Sequence, residues 1–354
     1  MATPQIGIVG AGIAGCAAAF ALRDRAARVT LIEKARGVSG RATTRRRDRI
    51  RYDHGANFFK LKKERHRTLL HDLLPTEGLV RVQGPLCTFT AAGACTPIPE
   101  TEENQAWTYR EGIHTLGKHL VTASGATVHL RTRIAKIHQA DGAWAVEATD
   151  GRSFGPFDQL LLTPPAPQTA DLLAGSDLPP TLADPLIEAL RSSSYEALHT
   201  LILGYHERWA RTHPFYGFAN ADGAYPIGWL SFEEDKPGHV PADQRVLICQ
   251  MQAGWSEERF DMPQEELAPV AATHAADLLE APAAAHPDWV DHQRWRYAQP
   301  TAAAATDVLK QAAPQGLFFA GDFMVGQARV PHALQSGLDV AAAMVQHGTF
   351  GGQP

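Results

Sequence analysis

Near the N-terminus the apolar residues form two short runs, Ile6 with Ile8 and Val9, then 29–32, separated by a stretch of small residues over 13–23. Short apolar runs bounded by turn formers predict buried strands, and the longer small-residue stretch predicts a helix. The order is strand, turn, helix, strand, and the turn carries Gly10, Gly12 and Gly15. In such a unit the first glycine permits the tight turn, the second lets a pyrophosphate approach the backbone, and the third lets helix and strand pack closely. Glu33 ends the second strand about 20 residues beyond the glycines, where an acid accepts hydrogen bonds from ribose hydroxyls. Its charge would repel a 2′-phosphate. Gly10, Gly12, Ile13, Ala14, Gly15 and Glu33 therefore predict a site for an adenine dinucleotide, with the phosphates at the helix N-terminus, where free N–H groups and about half a unit of dipole charge favour an anion.

Alternation of polar and apolar residues over 43–52 predicts a hairpin turning near Arg47 and Asp48. Its arginines, Arg45, Arg46, Arg47, Arg49 and Arg51, read first as a solvated face, with attraction of a substrate phosphate as the functional alternative. A charged helical stretch follows at 62–74, and a helix at 112–124 is stopped by Gly125, placed as a left-handed cap. Apolar runs at 127–130, 133–138, 143–148 and 159–163 predict strands, with Asp141-Gly142 and Asp150-Gly151 as hairpin turns. Prolines at 164, 165 and 167 end the last of these, and the chain is expected to cross there into a second domain. Within 168–287, helices are expected at 182–191 and 264–279 and strands at 197–205, 225–232 and 245–253. Loops carrying Pro214, Pro226, Pro237 and Pro241 leave no regular crossover helices, so antiparallel pairing is expected.

Composition narrows the classes. The chain has 354 residues, 44% hydrophobic and 20% charged, with a net charge of −5, enough for about two domains of ordinary globular character. A net negative chain gives no support to nucleic-acid binding. Cys16, Cys87, Cys95 and Cys249 include no CxxC pair, which favours a reduced cytoplasmic protein. The first apolar run lies inside the glycine fingerprint with no basic region before it, unlike a signal peptide. No window approaches the roughly 18 uninterrupted apolar residues of a membrane span. His66 and His71, like His114 and His119, lack the three- or four-residue spacing that shares a helix face, and no metal is expected.

The segment after Glu33 carries Gly37, Gly40 and Arg41, and GRATTRR is followed by DHGANFF at 53–59. This resembles the flavin-containing amine oxidase and renalase superfamily, whose second glycine-arginine motif brings its arginine to the FAD pyrophosphate. The resemblance implies non-covalent FAD, since no cysteine lies in 324–329 where a thioether would form. It implies contacts from Lys34, Gly40 and Arg41, from Ala56, Asn57 and Phe58 beside the flavin, and from Ile134 toward the adenine. The buried run ending at Gly321-Asp322 is similar to the family's ribitol-holding strand. Arg329, Val330 and Ala333 begin a helix, with Pro331 in its first turn, that would point its positive end at the flavin. The ending WRYAQP at 295–300 is again renalase-like.

The implied fold class is α/β: a Rossmann-like FAD domain, made of 1–66, 107–168 and 286–354, with a second α+β substrate domain on an antiparallel sheet, made of 67–106 and 169–285. The implied activity is an FAD-dependent oxidase taking a hydride from a small planar substrate, a dihydronicotinamide species, with molecular oxygen as acceptor. Trp295, Tyr297, Asn57 and Gln250 are the candidates for shaping the substrate face, although packing alone explains most aromatics of this region. Renalase-like bacterial enzymes place a histidine where Gln250 stands, so this contact departs from the pattern. A flavin amine oxidase is one alternative, weakened because the lysine such enzymes bring to the flavin through water has only Lys236 to match it between 151 and 309. A non-catalytic FAD-binding redox sensor and an NAD-dependent dehydrogenase are the others. No integral membrane association is expected, and oligomeric state is left open.

Overall fold

A computed structural model of the chain describes residues 3–348; positions 1, 2 and 349–354 of the outer expected segments lie outside it. Two compact units form, one from residues up to 42, 114–195 and 299 onward, the other from 43–113 and 196–298.

The first unit is built on a five-stranded sheet in the order Leu317–Phe319, Gln159–Leu162, Gln5–Val9, Arg28–Ile32, Thr127–His129. All its pairings are parallel. A parallel sheet is covered on both faces, which is why its strands read as unbroken apolar runs. Ile6, Ile8, Leu31, Leu160 and Leu161 have no exposed surface, and each such side chain contributes about 1.5–3 kcal/mol by leaving water. Helix Ile13–Ala21 packs against helix Val330–His347. A side chain at Gly337 would collide with the Ala14 carbonyl, so this crossing requires glycine. Helix Thr115–Ser124 ends at Gly125 with φ 65°, the expected left-handed cap. Strands Ile134–Ala140, Ala143–Ala148 and Ser153–Phe157 form an antiparallel layer. Its first turn holds Asp141 at φ 51° and Gly142 at φ 78°, two successive positive values as an Asp-Gly hairpin turn demands.

Helices Ala166–Ala174 and Pro180–Arg191 bury Ala170, Leu173, Leu186 and Leu190 in one core with Val9, Leu162 and Phe319. The chain thus leaves the first unit after Tyr195, not at 168. The prolines at 164 and 165 end a strand without ending the unit, because the helices after them still have an apolar face to bury.

The second unit centres on a seven-stranded sheet in the order Trp289–Pro300, Tyr195–Tyr205, Arg245–Met251, Ile227–Phe232, Gly217–Asn220, Leu86–Phe89, Cys95–Pro97. Antiparallel pairing holds for four of its contacts. Leu86–Phe89 runs parallel to Gly217–Asn220, so the sheet is mixed where antiparallel pairing was expected throughout. These two strands lie far apart in sequence, and no local turn fixes their direction. Helix Gln264–Leu279 buries Leu267, Ala271, Ala275 and Leu279 in this unit's core. Hairpin Thr44–Arg47 with Ile50–Asp53 turns at Asp48, φ 52°, where the alternation predicts it. Among the described residues no helix is long and apolar enough to cross a membrane.

Candidate functional site

In the first unit the glycine turn has the geometry its spacing implies. Gly10 takes φ +96°, and a side chain on Gly15 would collide with the Gly10 carbonyl. Gly12 is different: a Cβ there would meet no protein atom within 4 Å. Its lack of a side chain is not required by packing, and it leaves open space before the N-terminus of helix Ile13–Ala21, which has no side-chain cap and no acid in its first turn. The second glycine loop folds onto the first, since Ser39 N–H donates to the Ala11 carbonyl at 2.7 Å and a Cβ on Gly40, at φ +60°, would lie 3.0 Å from Gly12 Cα.

Glu33 is 8% exposed. Its Oε2 accepts from Ala11 N–H at 2.8 Å and its Oε1 from Ala35 N–H at 2.7 Å, which locks the turn. Each oxygen keeps a second lone pair for a ribose hydroxyl. Lys34 donates to Gln168 Oε1 at 2.8 Å, and Ile134 opens the three-stranded layer.

Arg41 and Asp322 carry separate expected roles, but the structure joins them: Arg41 Nη2 donates to Asp322 Oδ1 at 2.9 Å. Asp322 is 4% exposed and also accepts from Tyr195 Oη at 3.4 Å. It follows strand Leu317–Phe319 through Gly321, whose φ of +155° no ordinary side chain favours. Arg329 caps helix Val330–His347 by position and is exposed, its guanidinium donating to the Ala328 carbonyl, while Val330 and Ala333 form the first turn. The donor set fits a dinucleotide: open backbone before a helix N-terminus, an acid with spare lone pairs, and an arginine held by a buried aspartate.

In the second unit the segment 53–59 is a tightly held loop. Gln250 Nε2 donates to the Gly55 carbonyl at 2.6 Å, and Trp295 Nε1 to the His54 carbonyl at 3.2 Å. Asn57 donates to the Asp53 and Gly55 carbonyls and accepts from Trp229 Nε1 at 2.7 Å and Ser231 Oγ at 2.8 Å. Both donors and both lone pairs of that amide are spent. Asn57 therefore holds the loop, and its side-chain amide has no donor or lone pair left for a ligand. Gln250 also supports the loop, with one N–H and its carbonyl oxygen remaining. Trp295 stacks on His54, centroids 5.7 Å apart at 19°. Tyr297 stands two residues on and so shares that face of the strand. Phe58 packs against Trp229, and Ala56 is partly exposed. Burial, then the Arg45 charge, push His54 down to about 4, which keeps it neutral.

The hairpin arginines are largely engaged. Arg45 donates to Asp291 and Gln293, Arg51 forms a two-pronged pair with Glu111, and Arg47 lies 4.9 Å over the Trp289 ring.

A cluster that sequence reading missed lies beneath the loop. Asp53, Glu233, Lys236 and His239 are all fully buried. Lys236 Nζ donates to Asp53 Oδ2 at 2.9 Å and Glu233 Oε1 at 3.0 Å. Glu233 Oε1 also accepts from Asp53 N–H and from His239 Nδ1, both at 2.8 Å. An oxygen taking three N–H donors is a carboxylate. His239 Nε2 donates to the Tyr109 carbonyl at 2.8 Å, so both ring nitrogens carry protons and the ring is an imidazolium. Burial opposes both cations, yet Asp53 and Glu233 hold Lys236 and His239 above their ordinary values. Lys236 and His239 in turn keep Asp53 below its usual range against the effect of burial. Asp53, Glu233 and His239 could ligate a metal, but the ammonium already serves both carboxylates as their cation. The signal in the sequence was the spacing of Glu233, Lys236 and His239 in EEDKPGH, three apart each time, and two successive tight turns bring them together, Lys236 N–H donating to the Glu233 carbonyl and His239 N–H to the Lys236 carbonyl, both at 3.1 Å.

Comparison with known proteins gives the same direction. Residues 91–345 match the family model of flavin-containing amine oxidoreductases, and residues 8–73 that of an NAD(P)-binding Rossmann-like domain. Renalase of Mus musculus is 27% identical over 244 residues, 61% of this chain and 65% of that protein, so the match spans less than two thirds of the relative. A structure from Exiguobacterium sp. 255-15, provisionally described as a protoporphyrinogen oxidase, superposes with a TM-score of 0.78 at 17% identity, covering 98% of this chain and 100% of that one. Cyclohexylamine oxidase from Brevibacterium oxydans IH-35A gives 0.74 at 15% identity, covering 98% and 99%. At such identities these two likenesses speak for the fold alone.

Proposed function

Because the chain belongs to the flavin-containing amine oxidoreductase family, we propose that this flavin-dependent oxidoreductase binds FAD without a covalent bond and oxidises a small planar substrate, a dihydronicotinamide species, with oxygen as the final acceptor. Bound FAD would supply the two-electron acceptor. The chain supplies position and charge. Gly12 leaves room for a pyrophosphate, Glu33 for ribose hydroxyls, and Arg41, steered by Asp322, for phosphate oxygens. The first turn at Val330 favours negative charge near it. Trp295 and Tyr297 offer a flat face, and the free amide atoms of Gln250 suit a carboxamide.

The observation that carries the choice of substrate is the burial of Lys236. Its ammonium is bound by two carboxylates and has no exposed surface, so it is not available as the lysine that amine oxidases bring to the flavin through water. No side chain acts as an essential strong base in this reading. Mixing the anaerobic protein separately with dihydronicotinamide isomers and with primary amines or polyamines is the test. Bleaching of flavin absorbance by the first group alone is expected. Bleaching by amines alone would move the protein to the amine oxidases, and bleaching by neither would leave a flavin-binding sensor or a different planar substrate.

A further inference from the structure

Two thiols in the second unit lie close enough to react with each other. Cys87 sits on strand Leu86–Phe89 and Cys95 on the outermost strand of the sheet, Cys95–Pro97. The register pairs Cys87 with Pro97 and Phe89 with Cys95. Alternation along a strand then puts both sulfurs on one face as diagonal neighbours, with Sγ to Sγ 3.3 Å. A disulfide needs about 2.05 Å, and the strands that carry the two sulfurs belong to a hairpin whose loop turns on exposed Gly93 at φ +83°.

The two sulfurs differ in access. Cys95 is partly exposed, between exposed Ala94 and Thr96, and Cys87 is fully buried. Burial and the neighbouring sulfur push the Cys87 thiol well above its ordinary range. The other two cysteines are inert by contrast: Cys16 donates to the Ala11 carbonyl at 3.2 Å and Cys249 has no exposed surface, and burial pushes both up to about 12.

We propose that Cys87 and Cys95 form a peroxide-responsive dithiol, in which Cys95 is attacked first and Cys87 closes the disulfide. The Cys95 sulfur takes one oxygen from hydrogen peroxide, giving a sulfenic acid and one water. The Cys87 sulfur then displaces that oxygen as a second water, the departing proton coming from its own thiol. Two thiols are oxidised, one peroxide is reduced, and two waters leave. Peroxide is the ordinary product of an oxidase that uses oxygen, but the site itself needs only the oxidant, so its test does not depend on the proposed activity.

The experiment treats the flavin-bound full chain with hydrogen peroxide in the absence of substrate. Free thiols are blocked under denaturing conditions, and peptides are mapped without reduction. The expected result is a peptide pair joined through Cys87 and Cys95, lighter by two hydrogens, restored by dithiothreitol, with Cys16 and Cys249 still alkylated. In Cys87→Ser, Cys95 should stop at the sulfenic acid and be trapped by dimedone. In Cys95→Ser, Cys87 should remain a free thiol at the same peroxide dose. Wild-type protein that keeps all four thiols, that carries Cys95 to the sulfinic acid beside an intact Cys87 thiol, or that links Cys95 between two chains would overturn the proposal.

Discussion

Lys236 Nζ lies 2.9 Å from Asp53 Oδ2, 183 residues away in sequence, and neither side chain has any exposed surface. Asp53 is also the first residue of the loop that Gln250, Trp295 and Asn57 hold in place, and its Oδ1 accepts from Thr44 Oγ1 and Ile113 N–H. The pair fastens the entry and exit of the 43–113 segment to the turn at 233–239.

Lys236→Met should therefore destabilise the protein strongly. It keeps the length of the side chain but leaves Asp53 and Glu233 buried without their shared cation, a loss worth about 3–5 kcal/mol when one partner of a buried pair is removed. Urea unfolding of the two proteins measures it, and a difference below about 1 kcal/mol would mean that the carboxylates find other partners.

The cluster also predicts a pH dependence. His239 is held above its unfolded value, so its contribution is fully present below about pH 6.5 and declines as pH rises toward the folded value. Asp53 is held below its unfolded value, so its contribution is present above about pH 4 and lost on acidification. His239→Gln cannot titrate. The stability advantage of wild type over this variant should shrink as pH rises above about 6.5, where an unfolded imidazole loses its proton while the folded one keeps it. A constant difference over that range would place the proton elsewhere.

Arg41→Ala should weaken flavin retention more than Arg47→Ala. Arg41 is fixed by buried Asp322, while exposed Arg47 lies over Trp289. A charge-assisted hydrogen bond contributes roughly 1.5–3 kcal/mol, or about one to two decades of affinity. Flavin content after extended dialysis compares the two, and equal loss would remove Arg41 from the phosphate site.

Acid precipitation of the purified protein should release its flavin into the supernatant, running with FAD rather than FMN on chromatography. The four cysteines, Cys16, Cys87, Cys95 and Cys249, all lie outside the stretch 324–329. Yellow colour retained in the pellet would show a covalent link.

By itself the sequence determined the elements whose signals are local. Gly10 and Gly15 announced the turn because its backbone conformation and its close approach to the helix depend on the absence of a Cβ there, and Gly12 announced the open space before the helix. Gly125 and the Asp141-Gly142 pair announced their cap and turn through positive φ, which needs no distant partner. Helix Gln264–Leu279 was legible from its length and composition alone. Tertiary structure decided the rest, because a hydrogen bond or ion pair between residues far apart leaves no periodicity in the chain. It joined Arg41 to Asp322, ran Leu86–Phe89 parallel to Gly217–Asn220, kept helices Ala166–Ala174 and Pro180–Arg191 in the first unit, and exhausted the amide of Asn57. Above all it turned Glu233, Lys236 and His239 of the loop-like heptapeptide EEDKPGH into buried partners of Asp53: four charges are cheap to bury only when each meets its opposite, and only folding brings them together.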